Sequence, residues 1–287
     1  MKLINTLAVV CTLLAVSTHS FAASSTFYIV AHQDDWQLFM GAHAHADVNK
    51  TGNKTVFIYT TAGDEGFGTG IGHGAQDHPY YLAREEGANR AVRFMANDDK
   101  PRGEGKGETI TINGKSLYKY SYENTTSYFM RLPDGKLRPF HLGEIKTLTT
   151  INDTATYSDW SDLVKTIESI ITTEGRGSAK VVANYPNKDE QENPENHSDH
   201  ITTALAVDAA LAGLSCVDRR IYIEYSTRYK PTNLSPTDQT TEAAIWATTA
   251  SGLSDMGYRS TYNSFHNDFI GKIYYSSIDG TGDCAFR

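Results

Sequence analysis

The chain alternates between short runs rich in β-branched and aromatic residues and longer segments in which apolar positions recur every three or four residues. The short runs predict strands and the longer segments predict helices. Strands are predicted over 26–31, 55–61, 180–185, 220–225 and 270–275, and helices over 36–48, 81–95, 159–172, 201–214 and 242–256. This alternation predicts βαβ units, and therefore a mostly parallel α/β sheet with helices on both faces.

A tight turn interrupts the alternation. Asn113-Gly114 stands between two strand-like runs, and an Asn-Gly pair in that position is a strong signal of a β-hairpin. We interpret region 109–140 as a β-hairpin insertion. The 287 residues suit one large α/β domain, which we place at 23–287.

The first 22 residues have the pattern of a secretory signal peptide. Lys2 gives a basic start, 7–16 is an apolar run of about ten residues, and Ser20-Phe21-Ala22 has small residues at the two positions that define a cleavage site. A run of that length is too short to cross a bilayer. We expect cleavage after Ala22 and a secreted or periplasmic protein without a membrane span. An uncleaved anchor is the alternative.

The composition limits the kinds of molecule that the protein is expected to bind. The chain has 26 Lys and Arg against 34 Asp and Glu, a formal net charge of −8. This charge argues against a protein that binds nucleic acid through phosphate contacts. The composition does not indicate the oligomeric state.

Two cysteines remain after removal of the signal peptide, because Cys11 lies within it. Cys216 and Cys284 are an even number in an oxidising compartment, so we predict a disulfide between them. Two unpaired thiols are the alternative. Neither cysteine has the spacing of a cysteine-based zinc site.

Two polar clusters stand at the carboxyl ends of predicted strands, where open α/β sheets bind their ligands. One cluster is 31–35 (AHQDD), and the other is 197–200 (HSDH) at the start of a helix. His32, Asp35 and His200 together offer two imidazoles and one carboxylate. This set suits one Zn²⁺ with a position open for water, and the same ligands accept other divalent ions.

The other polar residues of these clusters suit the chemistry around such a metal. Asp34 would lie beside the metal as a general base for water. Asp199 can orient an imidazole, and His197 would also lie next to the ligands. In the alternative interpretation, Asp34 and Asp35 only cap a helix and the histidines are solvated.

In these two motifs the chain resembles the PIG-L/LmbE-like zinc-dependent de-N-acetylases. That family carries A-H-P-D-D-E and H-P-D-H, where this chain has AHQDDW at 31–36 and HSDH at 197–200. Arg84-Glu85 is similar to an Arg-Glu pair of the family, and Gly63 stands where the family has a glycine. The resemblance covers 27–214.

The resemblance implies a Rossmann-like α/β fold without a dinucleotide, and hydrolysis of an N-acetyl group, commonly on a glucosamine unit. It also implies a role for each motif residue. It makes His32, Asp35 and His200 metal ligands, Asp34 the catalytic base, His197 the residue that stabilises the transition state, and Asp199 the aspartate beside it.

The chain departs from the family pattern at three positions. Gln33 and Ser198 replace prolines, which alters loop rigidity but not the number of ligands. Trp36 replaces a glutamate that is not a ligand. Its ring either stacks on a sugar or packs within the helix.

Further residues are candidate substrate contacts because they follow predicted strands or lie in segments that could reach the cleft. For Asp64 and Glu65, plain surface carboxylates are the alternative. The candidates are Trp36, Asp64, Glu65, Arg84, Tyr185, Arg228 and His266.

We therefore expect a secreted zinc-dependent enzyme that removes the acetyl group from an N-acetylglucosamine-type sugar or glycoconjugate. Zinc-activated water would be the nucleophile and Asp34 the general base. The alternatives are an amide hydrolase of a non-sugar N-acyl metabolite, a metal-dependent hydrolase of another bond, and a carbohydrate-binding relative that has lost the reaction.

Overall fold

The computed structural model describes residues 23–72, 77–96, 103–284 and 286. The strands are β1 (Ser24–Val30), β2 (Asn53–Thr61), β3 (Lys106–Ile112), β4 (Lys115–Tyr122), β5 (Thr125–Leu132), β6 (Leu148–Thr149), β7 (Thr156–Tyr157), β8 (Lys180–Pro186), β9 (Asp218–Ile223) and β10 (Tyr274–Ile278). The α-helices are α1 (Asp35–Phe39), α2 (Gly41–Val48), α3 (Tyr80–Ala96), α4 (Leu137–His141), α5 (Trp160–Glu174), α6 (Ser198–Ala210), α7 (Pro236–Asp255) and α8 (Ser264–Asn267), and a 3-10 helix covers Tyr225–Tyr229. The predicted signal peptide, 1–22, lies outside the described residues.

The main sheet has the strand order β10-β9-β8-β1-β2-β5-β4-β3. Strands β9, β8, β1, β2 and β5 are parallel, whereas β10, β4 and β3 each pair antiparallel with a neighbour. The chain moves from β1 to β2 in one direction and from β8 to β9 in the other. The neighbours β1 and β8 therefore form the topological switch point, where such sheets bind their ligands.

Helices cover both faces of the sheet, as the alternation of elements predicted. Along β1, Phe27 and Ile29 join one hydrophobic cluster with α5 and α6, while Tyr28 and Val30 join a second cluster with α1, α3 and α7. Because both faces are covered, the central strands β1, β2 and β8 are buried at nearly every position instead of at alternate positions. The predicted mostly parallel α/β fold is confirmed.

The predicted hairpin forms, and it extends the main sheet. β3 and β4 pair antiparallel around Asn113-Gly114, and both turn residues have positive φ. The sequence did not predict β5, which pairs in parallel with β2 and joins the hairpin to the centre of the sheet. β5 leads into the turn Pro133-Asp134-Gly135, so a part of region 109–140 reaches the same sheet edge as the two motifs.

The segment predicted as one helix over 36–48 forms two. α1 and α2 meet at Met40, whose φ of −139° lies outside the helical region. The last strand begins later than predicted, at Tyr274, and runs antiparallel to β9. Among the described residues, none of the helices combines the length and apolar character that a membrane crossing requires.

Cys216 and Cys284 form a disulfide, as predicted. The two cysteines are 68 residues apart, and the loop between them contains α7, α8 and β10. The bridge therefore connects the end of the chain to the segment between α6 and β9.

Reduction of this disulfide is expected to lower the free energy of unfolding by about 2–4 kcal/mol, because the reduced unfolded chain regains the entropy of a long loop. Urea unfolding with and without dithiothreitol measures the difference. A Cys216→Ser/Cys284→Ser variant should unfold like the reduced protein and should not respond to the reductant. Equal unfolding midpoints for the oxidised and reduced protein would contradict the prediction.

Candidate metal centre

The first motif forms a tight loop between β1 and α1. The backbone N–H of His32 donates to Asp35 Oδ2 at 2.7 Å, which holds the carboxylate beside the loop. Gln33 Nε2 donates to the carbonyl oxygens of Thr61 at 3.2 Å and Ala62 at 3.0 Å. Gln33 thus fastens the loop to the end of β2, at the position where the resembling family has a rigid proline.

The second motif forms the start of α6. His197 is the N-cap, and its Nδ1 accepts a hydrogen bond of 3.2 Å from the backbone N–H of Asp199. In a neutral imidazole whose Nδ1 accepts, the hydrogen lies on Nε2. His200 lies in the first turn of the helix and is fully buried.

Three side-chain atoms from the two motifs converge at the switch point. The distances are 2.9 Å from His32 Nδ1 to His200 Nε2, 3.1 Å from His200 Nε2 to Asp35 Oδ1, and 3.5 Å from His32 Nδ1 to Asp35 Oδ1. Tetrahedral ligands at usual zinc bond lengths lie about 3.3 Å apart. The chemistry and spacing of these atoms fit a divalent metal.

A second layer of polar groups orients the two histidines. His200 Nδ1 lies 2.8 Å from Glu224 Oε2 and 3.0 Å from Asn196 Oδ1. His32 Nε2 lies 3.2 Å from Asp134 Oδ1. A partner on the second ring nitrogen is the usual arrangement of histidine metal ligands, because it sets the tautomer and the direction of the ring.

Sequence reasoning missed Asp134, Asn196 and Glu224. Glu224 directly follows β9, and Asp134 follows β5 by two residues. Both therefore stand at carboxyl ends of parallel strands, the signal that located the two motifs. Asp134 was missed because β5 was not predicted, and Glu224 because it was placed inside the predicted strand 220–225.

The charges of the site favour a bound cation. Burial opposes the charge of Asp35, but His200 and His32 outweigh it and hold the pKa of Asp35 well below its usual range. Burial also opposes the charge of His32, but Asp35 and Asp134 raise its pKa to about 9. Burial raises the pKa of Asp199 to about 6, and nearby Asp134 adds to this shift. A divalent cation would offset the repulsion among these buried carboxylates.

The pKa of His197, the other histidine of the second motif, is shifted in the opposite direction. Burial lowers the pKa of His197 to about 4, and the His32 and His200 rings add to that effect. The ring centroid of His197 lies 5.0 Å from that of His32. His197 therefore lies beside His32, with Nε2–H available as a hydrogen-bond donor.

An ion pair between Asp34 and Arg84 stands beside the donor atoms. Burial opposes the charge of Arg84, but Asp34 outweighs it and raises the pKa of Arg84 above its usual range. Gly63 makes room for this pair. A Cβ at position 63 would lie 2.5 Å from Gln33 Oε1 and 2.9 Å from Arg84 Nε, and Gly63 also has a φ of +54°.

A cavity of about 200 Å³ opens over the donor atoms. Its walls combine the two motifs with residues from the loop after β2, α3, the turn after β5 and the C-terminal part of the chain. The lining residues are His32, Asp34, Asp35, Leu38, Glu65, Arg84, Asp134, His197, Tyr225, Phe265, His266 and Phe269. Four of them, Tyr225, Phe265, His266 and Phe269, lie after the region that carries the motifs.

Three of the candidate substrate residues line this cavity: Glu65, Arg84 and His266. Asp64 does not. It is 2% exposed, and its carboxylate accepts hydrogen bonds from the backbone N–H groups of Asp134 and Gly68. Asp64 therefore positions Asp134 and the following loop instead of contacting substrate.

The other three candidates also lie outside the cavity lining. Trp36 is fully buried, and its Nε1 donates to Tyr59 Oη, so it packs within the core and is not a sugar platform. Tyr185 is buried and donates to Asp208. The Arg228 guanidinium lies 4.6 Å from the centroid of the Phe265 ring, so it contacts a wall residue from outside the lining.

Two histidines and a carboxylate at the switch point of a parallel sheet, with a further carboxylate and an arginine beside them, are an arrangement suited to a metal-dependent hydrolase of the α/β class. The family model of PIG-L, GlcNAc-PI de-N-acetylase, matches residues 27–211. This match covers more than half of the chain, so the chain belongs to that family, and the suspected resemblance is confirmed. No curated protein matches the chain significantly.

Replacement of the outer partner of His200 is expected to weaken metal binding. Glu224→Gln removes the charge that holds the His200 ring, and we expect an affinity for divalent metal about 10–100-fold lower. Competition titration with a chromophoric chelator, using Zn²⁺ and Co²⁺, measures the affinity. Glu190→Gln, at an exposed carboxylate in the loop between β8 and α6, is the control. Unchanged affinity in Glu224→Gln would refute the role.

Substitution of Gly63 is expected to destabilise the site for two separable reasons. Gly63→Ala adds both backbone strain and a clash with Gln33 and Arg84, and backbone strain of this kind costs about 1–3 kcal/mol. Gly66→Ala is a matched control, because Gly66 also has positive φ but no atom within 4 Å of the added Cβ. Urea unfolding should show a larger loss of the free energy of unfolding in Gly63→Ala than in Gly66→Ala. Equal losses would mean that the contacts with Gln33 and Arg84 are unimportant.

Proposed function

We propose that this chain is a secreted or periplasmic zinc-dependent hydrolase that removes the acetyl group from an N-acetylglucosamine-type sugar. The observation that carries the proposal is the convergence of His32 Nδ1, Asp35 Oδ1 and His200 Nε2 within 3.5 Å of one another. Membership of a family described as GlcNAc-PI de-N-acetylases supports the reaction type. The predicted signal peptide and the disulfide support a location outside the cytoplasm.

His32, Asp35 and His200 would hold the metal. Two nitrogen donors and one oxygen donor match the preference of Zn²⁺, and three protein ligands leave a position for water or substrate. When bound, zinc supplies Lewis acidity, which polarises the acetamide carbonyl and makes water more acidic. The second-layer residues Glu224 and Asp134 keep the two imidazoles turned toward the metal position.

Asp34 is the general base. Its carboxylate lines the cavity and is held in place by Arg84, which stays charged. Asp34 takes a proton from the attacking water while the water oxygen bonds to the acetyl carbon. The carbon–nitrogen bond then breaks, and Asp34 returns the proton to the departing nitrogen. The products are acetic acid and the free amino sugar.

His197 stabilises the negative charge that develops on the acetyl oxygen. Its Nδ1 is occupied by the backbone N–H of Asp199, so the hydrogen on Nε2 is available to that oxygen. A fixed donor of this kind contributes about 3 kcal/mol to lowering the barrier. The hydrogen bond from the Asp199 N–H, at the start of α6, keeps the His197 ring in position before substrate arrives.

The surroundings of the cavity suit a sugar. Phe265 is 46% exposed and presents an aromatic ring at the cavity wall, while Glu65 and Arg84 provide charged hydrogen-bonding groups. Aromatic rings that combine an apolar face with nearby polar groups are suited to the faces and hydroxyls of a pyranose. The sugar would place its acetamide group toward the donor atoms.

Removal of the base should separate catalysis from metal binding. Asp34→Asn is expected to lower kcat for acetate release by about 10²–10⁴-fold, because Asn cannot accept the proton. An enzyme-coupled acetate assay on N-acetylglucosamine and its conjugates measures the rate. Bound zinc, measured by elemental mass spectrometry, should remain near one per chain in Asp34→Asn and be lost in His200→Ala. Asp255→Asn, at an exposed carboxylate, is the control.

Wild-type turnover by Asp34→Asn would disprove its role as the base. Full zinc content in His200→Ala would disprove its role as a ligand. Zinc at one per chain without acetate release from any N-acetylated sugar would point to a different hydrolysable bond or to a binding protein.

A further inference from the structure

A second cavity of about 500 Å³ lies beside the catalytic cavity. Glu65 lines both cavities, so the two are neighbours along one wall. The second cavity is the larger, and its volume lies within the range of about 300–1,000 Å³ that is usual for small-molecule sites. A ligand that reaches the donor atoms therefore has room to extend past Glu65.

Two separate parts of the chain build this second cavity. One wall has Glu65 and Tyr80, and the other has Tyr258, Arg259, Ser260, Thr261 and Asn263, between α7 and α8. The hydroxyl of Tyr258 contacts the carbonyl oxygens of Ile71 and His78 and so connects the two walls. The second wall lies beyond residue 211, outside the part of the chain that the family model matches.

The lining has the chemistry of a site for a neutral polyhydroxylated ligand. Ser260 offers a hydroxyl and Asn263 an amide N–H to a ligand. The Asn263 oxygen is occupied by the backbone N–H of His266, and the Thr261 hydroxyl oxygen is buried. Among the described residues that line it, Arg259 is the only cation and Glu65 the only carboxylate. Because these charges are balanced, the lining does not favour a polyanion.

Exposed aromatic rings are neighbours of lining residues on both walls, although they are not part of the lining itself. Phe67, near Tyr80, is 40% exposed, and Tyr262, between two lining residues, is 45% exposed. Large exposed aromatic side chains that border a cleft are common marks of ligand recognition. They add flat apolar surfaces to the hydrogen-bonding groups, which is the combination that linked pyranose rings require.

We propose that this second cavity is a subsite for a sugar unit linked to the one that is deacetylated, so that the substrate is an oligosaccharide or a glycan chain. The inference rests on the proposed function, because that function places an N-acetylated sugar in the catalytic cavity. Residues 258–263 then act as a specificity element outside the part of the chain that the family model matches.

The test measures saccharide binding without turnover. Calorimetry on zinc-loaded Asp34→Asn compares N-acetylglucosamine with its β-1,4- and β-1,6-linked dimers and trimers. We expect a dimer of at least one linkage to bind about tenfold more tightly than the monosaccharide, as one or two added hydrogen bonds would provide. Arg259→Ala, which removes a donor, and Ser260→Trp, which fills the cavity, should each abolish that difference. Arg138→Ala, at an exposed arginine away from both cavities, should keep it.

Equal affinity for the monosaccharide and for dimers and trimers of both linkages would overturn the subsite. Tighter binding of N-acetylglucosamine 1-phosphate than of any dimer, lost in Arg259→Ala, would assign the cavity to an anionic group and overturn it as well. The acetate assay on the wild-type protein distinguishes the two proposals. Acetate release without any dependence on chain length defeats the subsite alone. Tight dimer binding without acetate release would leave a saccharide-binding cavity and overturn the proposed deacetylation.

Discussion

The approach of two imidazole nitrogens to one carboxylate oxygen is the constraint on which the rest of the structure depends. His32 Nδ1 and His200 Nε2 lie 2.9 Å apart, a distance at which two lone pairs repel unless a proton or a metal ion lies between them. The fold makes the approach possible because β1 and β8 are adjacent parallel strands, so the loop after β1 meets the start of α6. Both motifs are short because the sheet does most of the positioning.

The second layer shows how the same sheet edge stabilises this arrangement. Asp134 arrives from the end of β5 and Glu224 from the end of β9, and each faces the outer nitrogen of one histidine. Buried carboxylates are costly without partners. The histidines offset part of that cost, and a bound divalent metal would offset more of it. The site therefore contains groups that follow most of the parallel strands. After the end of β2, Gly63 leaves room for Arg84, and Asp64 accepts a hydrogen bond from the backbone of Asp134.

The C-terminal part of the chain turns an exposed sheet edge into a cleft. Tyr225, Phe265, His266 and Phe269 form a wall of the catalytic cavity, and Tyr258–Asn263 continues that wall along the second cavity. The disulfide from Cys216 to Cys284 closes the loop that carries all of these residues. In the proposed reaction, a wall held in this way would restrict water around the reacting amide and present a surface for the rest of a larger substrate.

The sequence by itself determined the α/β class, the two motifs and the cysteine pair, because strand–helix alternation, the strand-end rule and cysteine parity are local or one-dimensional signals. Only the tertiary structure decided that Trp36 and Tyr185 belong to the core and that Asp64 supports Asp134, because burial depends on which distant segments pack against a side chain. It also revealed Asp134, Glu224 and the aromatic wall. These groups come from strands and loops far apart in the chain, and only the order of the strands in the sheet brings them to one point.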